Sequence, residues 1–231
     1  MKTQTNQKRA AMTLFEVLLV IVILAVLFAI LLPAIIPASG DRQIISCVNN
    51  LKETSLAYRI WEGDNGDLYP TGVSVTNGGA MESAANGDVV AVFQVMSNEL
   101  STPKILVCPE DTTHTPATNF ATGFSAKNIS YFAGLDSTND SNPQMLLVGD
   151  NNFSVDGVPA KSGLLKISTN SIVAWLPGRH PFYQPHFWEF APKHFSGNVA
   201  MNDGSVQQSS SDDFQNALAH TGFATNRFAI P

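Results

Sequence analysis

The stretch from residue 8 to residue 38, KRAAMTLFEVLLVIVILAVLFAILLPAIIPA, constrains this chain more than any other. No ionisable side chain occurs between Val17 and Gly40, and those 24 residues predict a helix of about 36 Å, longer than a hydrocarbon core of about 30 Å. The expectation is a membrane-spanning helix. The run is too long for the apolar core of a secretory signal, and no cleavage site of small residues follows it before Asp41 and Arg42, so the mature protein should keep it. Lys2, Lys8 and Arg9 precede it without an acidic residue among them. That bias predicts a cytoplasmic N-terminus and an exported remainder beginning near residue 40.

Glu16 does not fit a plain anchor, because a charged side chain at bilayer depth costs about 3 kcal/mol unless it is paired. In front of it, Ala11-Met12-Thr13-Leu14-Phe15-Glu16 places a small residue after a basic leader, then an apolar residue, then a carboxylate four positions on. This pattern resembles the N-terminus of the type IV pilin and type II secretion pseudopilin superfamily. By that resemblance Ala11 stands before the cut, where the family usually has Gly, and Met12 is the new N-terminus that the prepilin peptidase methylates. Glu16 matches the family's carboxylate at the fifth mature position, and Pro33, 21 residues after Met12, its helix-kinking proline.

The resemblance implies a leader at 1–11, a transmembrane and assembly segment at 12–38, the exported half of the same helix at 39–62 and a globular domain at 63–231. The implied fold is α+β and pilin-like, with one long N-terminal helix packed on a small antiparallel sheet with long loops. The implied role is structural and not enzymatic: a subunit of a type II secretion pseudopilus or a type IV pilus-like filament. It would sit in the bacterial inner membrane as a single-pass protein, with its globular domain periplasmic or on the cell surface. Partners would be other pilin or pseudopilin subunits, the peptidase, an inner-membrane assembly platform and the lipid bilayer. No cofactor is implied. Calcium enters only because major pseudopilins bind it in an acidic loop near the C-terminus, and no motif here carries that over.

With 231 residues and one apolar segment, about 190 are left outside, enough for one domain with its own core. Losing the leader removes three basic and no acidic residues, which takes the formal net charge from -6 to -9. An acidic body leaves no basic stripe for phosphates and argues against nucleic acid as a principal partner. Cys47 and Cys108, the only cysteines, are most simply a disulfide in an exported domain, and closing a loop of about 60 residues would stabilise the fold by up to about 4 kcal/mol. Two buried free thiols are the alternative.

Beyond the apolar run, Ile44, Val48, Leu51 and Tyr58 recur at helical spacing from Asp41 to Glu62, with Ser55 interrupting and Leu56 and Ile60 at the edge. Gly63-Asp64-Asn65-Gly66 predicts the helix end. The run CVNNLKETSLAYRIWEGDNGDLYP resembles the segment joining helix to globular part in pseudopilins, loosely, since Asp67 and Leu68 separate Gly66 from Tyr69. Residues 71–87 and 110–126 read as loops. Asp88 predicts the cap of a short helix to about Asn98, and Lys104–Val107 a strand entering Cys108. Ile129–Leu135 and Gln144–Val148 read as strands around the turn-rich DSTNDSNP, and Asn198–Met201 and Ser205–Gln207 as a hairpin about Asn202-Asp203-Gly204. Ser211 predicts the cap of a last helix with Phe214 and Leu218 on one face.

His194 with Asp203 and Gly204 resembles a C-terminal element of many prepilin-like proteins, a His followed after nine residues by Asp-Gly; here the spacing is one residue short. His180, His186 and His194 near Asp203 suggest a metal hydrolase, but their spacing matches no standard ligand pattern, and the prolines and aromatics among them favour a packed loop. Asp150 to Gly157 begins like a calcium loop and fails at Val155 and Lys161. No nucleophile elbow, P-loop or dinucleotide fingerprint occurs. The other function class left open is an exported enzyme or binding domain tethered by a pilin-like anchor.

Overall fold

The computed structural model describes residues 14–35, 39–177 and 195–231, with side chains at 14–28 and, within those ranges, from 45 onward. The chain divides into two compact units, Met1–Ser39 and Gly40–Pro231. In the first, helix α1 covers Leu14–Ile35. In the second, α2 covers Ser39–Asp64. The single long helix expected from residue 12 to residue 62 is therefore corrected to two helices. Residues 36–38 between them lie outside the described residues; the sequence there holds Pro37, and a proline disfavours a continuous helix because it has no amide hydrogen to donate. Pro33, the expected kink, lies inside the last turn of α1.

The membrane placement is corrected with it. Among the described residues no helix is long and apolar enough to cross a membrane. The expected span was counted from Val17 to Gly40 as one helix, and α1 ends before that count is complete. The single-pass inner-membrane location derived from it falls as well.

After α2 come three short helices, α3 (Met81–Ala85), α4 (Val89–Val95) and α5 (Ser97–Leu100), and then the strands. These are β1 (Tyr131–Gly134), β2 (Leu146–Asp150), β3 (Phe153–Val155), β4 (Val158–Pro159), β5 (Gly163–Ser168) and β6 (Val173–Trp175). The chain closes with β7 (Ser196–Met201), β8 (Val206–Ser210), α6 (Ser211–His220) and β9 (Thr225–Ile230). Six strands form an antiparallel sheet in the order β5-β9-β1-β2-β7-β8, and β4-β3-β6 form a second. The sheet is larger than expected because β5 and β9 join it. The closing RFAIP falls in β9 except for Pro231, and β9 pairs with both β1 and β5.

Side chains alternate across a strand, so β1 feeds two cores. Tyr131 and Ala133 join the core that contains Leu51, Tyr58 and Trp61 of α2 and Val92 and Phe93 of α4. Phe132 joins the opposite core, with Phe153, Trp175, Phe228 and α6 residues Phe214 and Leu218. There the rings pack edge-to-face or stacked, Trp175 lying on Phe214 at 4.8 Å between centroids and Phe132 edge-on to Phe228 at 4.9 Å.

Local capping matches the sequence in outline. Asp88 accepts a hydrogen bond from Ala91 N at 3.1 Å and starts α4 as expected. The last helix begins one residue earlier than Ser211 implied: Ser210 and Asp213 form a reciprocal capping box, and the Ser211 hydroxyl instead accepts from Trp175 N at 3.0 Å. Lys104–Val107 is not a strand, because Pro103 opens a 3₁₀ turn over Pro103–Leu106. On α2, Ser55 is buried within the stripe it was expected to interrupt, while Leu56 and Ile60 are exposed.

Close approach requires glycine at several positions, among them Gly87 and Gly197. At Gly87 a Cβ would lie 2.0 Å from the backbone nitrogen of Leu164, and φ is +84°. At Gly197 a Cβ would lie 2.4 Å from the Trp175 ring. Gly197→Ala should therefore push Trp175 off Phe214 and lower stability by about 1–3 kcal/mol. Urea unfolding monitored by tryptophan fluorescence checks this, and unchanged stability would show that the ring has room to move.

Candidate functional site

The residues singled out in the sequence fall into three places. Glu16 lies in the first turn of α1. Cys47 and Cys108 form a disulfide that fastens α2 to the segment entering β1. Asp203 and Gly204 form the β7–β8 turn. Ala11, Met12, His180, His186 and His194 lie outside the described residues. No histidine site can be built from them here.

The β7–β8 turn reveals a residue that its Asp-Gly signature concealed. Gly204 takes φ +84° and closes the turn by donating its N–H to Met201 O at 3.0 Å. Asp203 Oδ1 accepts from Ser205 N at 2.8 Å, and hydrogen bonding from Ser205 holds the Asp203 carboxyl below the ordinary carboxylate range. Asn202, next to them, is fully buried. Its Nδ2 donates to Asn139 O at 2.6 Å and Asn142 O at 3.0 Å, and its Oδ1 accepts from Ser137 Oγ at 2.8 Å. Its backbone oxygen accepts from Arg59 Nη2 at 2.6 Å, and Arg59 also reaches Asp140 Oδ2 at 3.3 Å. Glu62 Oε1 accepts from Asp140 N at 3.1 Å. Burial, then the charge of Asp140, raises the Glu62 carboxyl above its usual value. The loop at 136–143 is thus stitched at once to the hairpin and to the end of α2, so the turn acts as a clamp.

A second site lies where β2 ends beside β7. Asp150, the last residue of β2, is 9% exposed and accepts from both the backbone N (2.7 Å) and Nδ2 (2.9 Å) of Asn198 through Oδ2. It lines a cavity of about 90 Å³ together with Glu110, Asp111, Asn152, Asn198 and Gln208. Asp111 bonds within its own loop: Oδ2 meets His114 Nδ1 at 2.5 Å, and Oδ1 accepts from Thr113 N at 2.9 Å. Burial pushes the Asp150 carboxyl up to about 7, the charges of Glu110 and Asp111 adding to it and the two bonds from Asn198 opposing it. Among the described residues no group of three or more His, Cys, Asp or Glu side chains is placed to hold a metal. Sequence reading met Asp150 only as the start of a failed calcium loop. The available signal was one carboxylate closing an otherwise apolar strand, LLVGD.

Searches against protein-family models, curated proteins and solved structures return no match to this chain.

Two outcomes follow from this geometry. Asn202→Ala strands the Ser137 hydroxyl and two carbonyls and should cost about 2–4 kcal/mol in chemical denaturation, more than Asp203→Ala. For Asp150, a native value of about 7 lies above an unfolded value near 3.9, so the native state binds the extra proton between them. Its contribution is complete below about pH 4 and is lost as pH rises through about 7. Denaturation in chelator-containing buffer should show a loss of up to about 4 kcal/mol between pH 4 and pH 8 that Asp150→Asn removes.

Proposed function

We propose that this chain is a structural subunit of a pilin-like filament, a pseudopilin or a pilin. In this reading a prepilin peptidase cuts between Ala11 and Met12 and methylates Met12, and other subunits pack against α1. The observation that supports it most is α1 itself. Its large side chains from Leu14 to Phe28 are 45% to 85% exposed in the single chain, and Glu16 is the one ionisable residue of the helix. A helix apolar on every side belongs in a buried setting, and each large side chain covered contributes about 1.5–3 kcal/mol. Neighbouring copies of α1 supply that cover. The antiparallel sheet with α2 laid on one face gives each copy a rigid body to carry.

Bundling α1 takes Glu16 out of water, and its carboxylate then requires a cation. In the proposed packing the N-terminal amine of Met12 from a neighbouring copy meets Glu16 and sets the axial step between subunits. Removing one member of a buried pair strands the other at about 3–5 kcal/mol. Glu16→Leu should therefore abolish filaments or cross-linked oligomers while leaving the globular unit folded, as judged by its intact disulfide and near-ultraviolet circular dichroism. Mass spectrometry of natively produced protein should find N-methylated Met12 at the terminus. Wild-type assembly by the Glu16 variant, or an intact Met1–Ala11 segment, would overturn the reading in favour of a binding domain that borrows the N-terminal pattern.

A further inference from the structure

Three Asn-Gly pairs occur in the chain, Asn65-Gly66, Asn77-Gly78 and Asn86-Gly87. Such a pair is open to a reaction within itself, because glycine has no Cβ to shield its nitrogen and its backbone turns freely enough to bring that nitrogen to the preceding side-chain amide. The fold decides where this happens by how firmly it holds both groups. At Asn86 both are held. Asn86 Nδ2 donates to Glu82 O at 3.0 Å, the Gly87 N–H donates to Ala84 O at 2.7 Å, and Gly87 lies against the backbone of Leu164, which stops its peptide from turning. At Asn65, half-buried just past the end of α2, Nδ2 donates to Trp61 O at 2.7 Å.

Asn77 differs from both. It closes the 3₁₀ turn Val75–Asn77, is exposed, and has a side chain that makes no hydrogen bond among the described residues. Gly78 is exposed as well, with φ +88° and open space where a Cβ would stand. One bond restrains its nitrogen, the donation to Val75 O at 3.1 Å. None of residues 74–78 is buried, so breaking that bond uncovers no core and needs only a local opening of the turn.

We propose that Asn77 is a site of covalent self-modification, in which the Gly78 nitrogen attacks Asn77 Cγ and the side-chain amide is lost. Water is the one co-reactant. The Gly78 nitrogen gives up its proton as it bonds to Cγ, the Cγ–Nδ2 bond breaks, and Nδ2 leaves as ammonia with that proton as its third hydrogen, which leaves a cyclic imide. Water then adds to one of the two imide carbons, the bond from that carbon to the Gly78 nitrogen breaks, and the nitrogen regains a proton. Opening at Cγ yields an ordinary aspartate, and opening at the main-chain carbonyl yields an isoaspartate whose backbone runs through the former side chain. Nothing is oxidised or reduced. Either product adds one negative charge and takes the formal net charge from -6 to -7. That charge arrives in a turn already fastened by a carboxylate, since Glu82 accepts from Ser74 Oγ at 2.6 Å and from Val75 N at 2.7 Å. Like charges on one turn repel, and isoaspartate also lengthens the backbone by one carbon, so the turn loosens irreversibly while the cores stay packed. The site is independent of the filament reading, because no residue of α1 takes part.

Peptide mass mapping of the full chain aged in mildly alkaline buffer, with fragment ions assigning the modified residue and urea-unfolded chain aged in parallel, tests the proposal. In the unfolded chain the three pairs should react at similar rates, since no fold then restrains them. In the native chain Asn77 should react first, gaining one mass unit and splitting into two chromatographic forms, at least about tenfold faster than Asn86 and with Asn65 between them. Heavy-oxygen water should place its label in the new carboxylate. An Asn77 that stays intact in the native chain while the unfolded control reacts overturns the proposal, as does native reaction at Asn65 or Asn86 as fast as at Asn77.

Discussion

The globular unit depends on α2 being held against the sheet at both of its ends. Near its start the Cys47–Cys108 disulfide joins it covalently to the chain leading into β1. Near its finish Arg59 and Glu62 grip the backbone of Asn202 and Asp140. Between these points the contact is apolar, with Leu51 and Tyr58 wholly buried. A helix fixed only by such a stripe can slide by a turn at modest cost. Two specific attachments on opposite sides of the stripe remove that freedom and define one face of the sheet.

The other face is organised by aromatic rings, and this explains why glycines recur in the strands. Phe132, Phe153, Trp175, Phe214 and Phe228 need more width than a flat sheet surface gives. Gly197 leaves the space that the Trp175 ring occupies, and at Gly149 a Cβ would lie 2.7 Å from the Phe132 ring. Because Phe132 and its neighbours Tyr131 and Ala133 point to opposite cores, β1 couples the two layers: a shift of its register would exchange both sets of side chains.

Asp150 is the conflict in an otherwise consistent interior. Its carboxylate takes over the role of a ladder carbonyl by accepting the Asn198 N–H, which is a structural use. A neutral asparagine could accept that bond without the cost of burying a charge.

The sequence by itself determined what depends on near neighbours. Short-range chemistry located α4 through Asp88, the β7–β8 hairpin through Asp203-Gly204, and the buried Phe214 and Leu218 of the last helix. Composition on the chain alone also raised the Cys47–Cys108 pairing, with free thiols as the alternative. The tertiary structure decided that the apolar N-terminal run and the segment after it form two helices rather than one, a division that a hydropathy count does not register. It made a central strand of the C-terminal residues, because pairing with β1 and β5 is non-local and leaves no period in six residues. It also brought Asn202 and Arg59 together in the clamp, and Asp150 and Asn198 together at the cavity. Their partners lie 48 to 143 residues away, and no local pattern encodes a hydrogen bond across that distance.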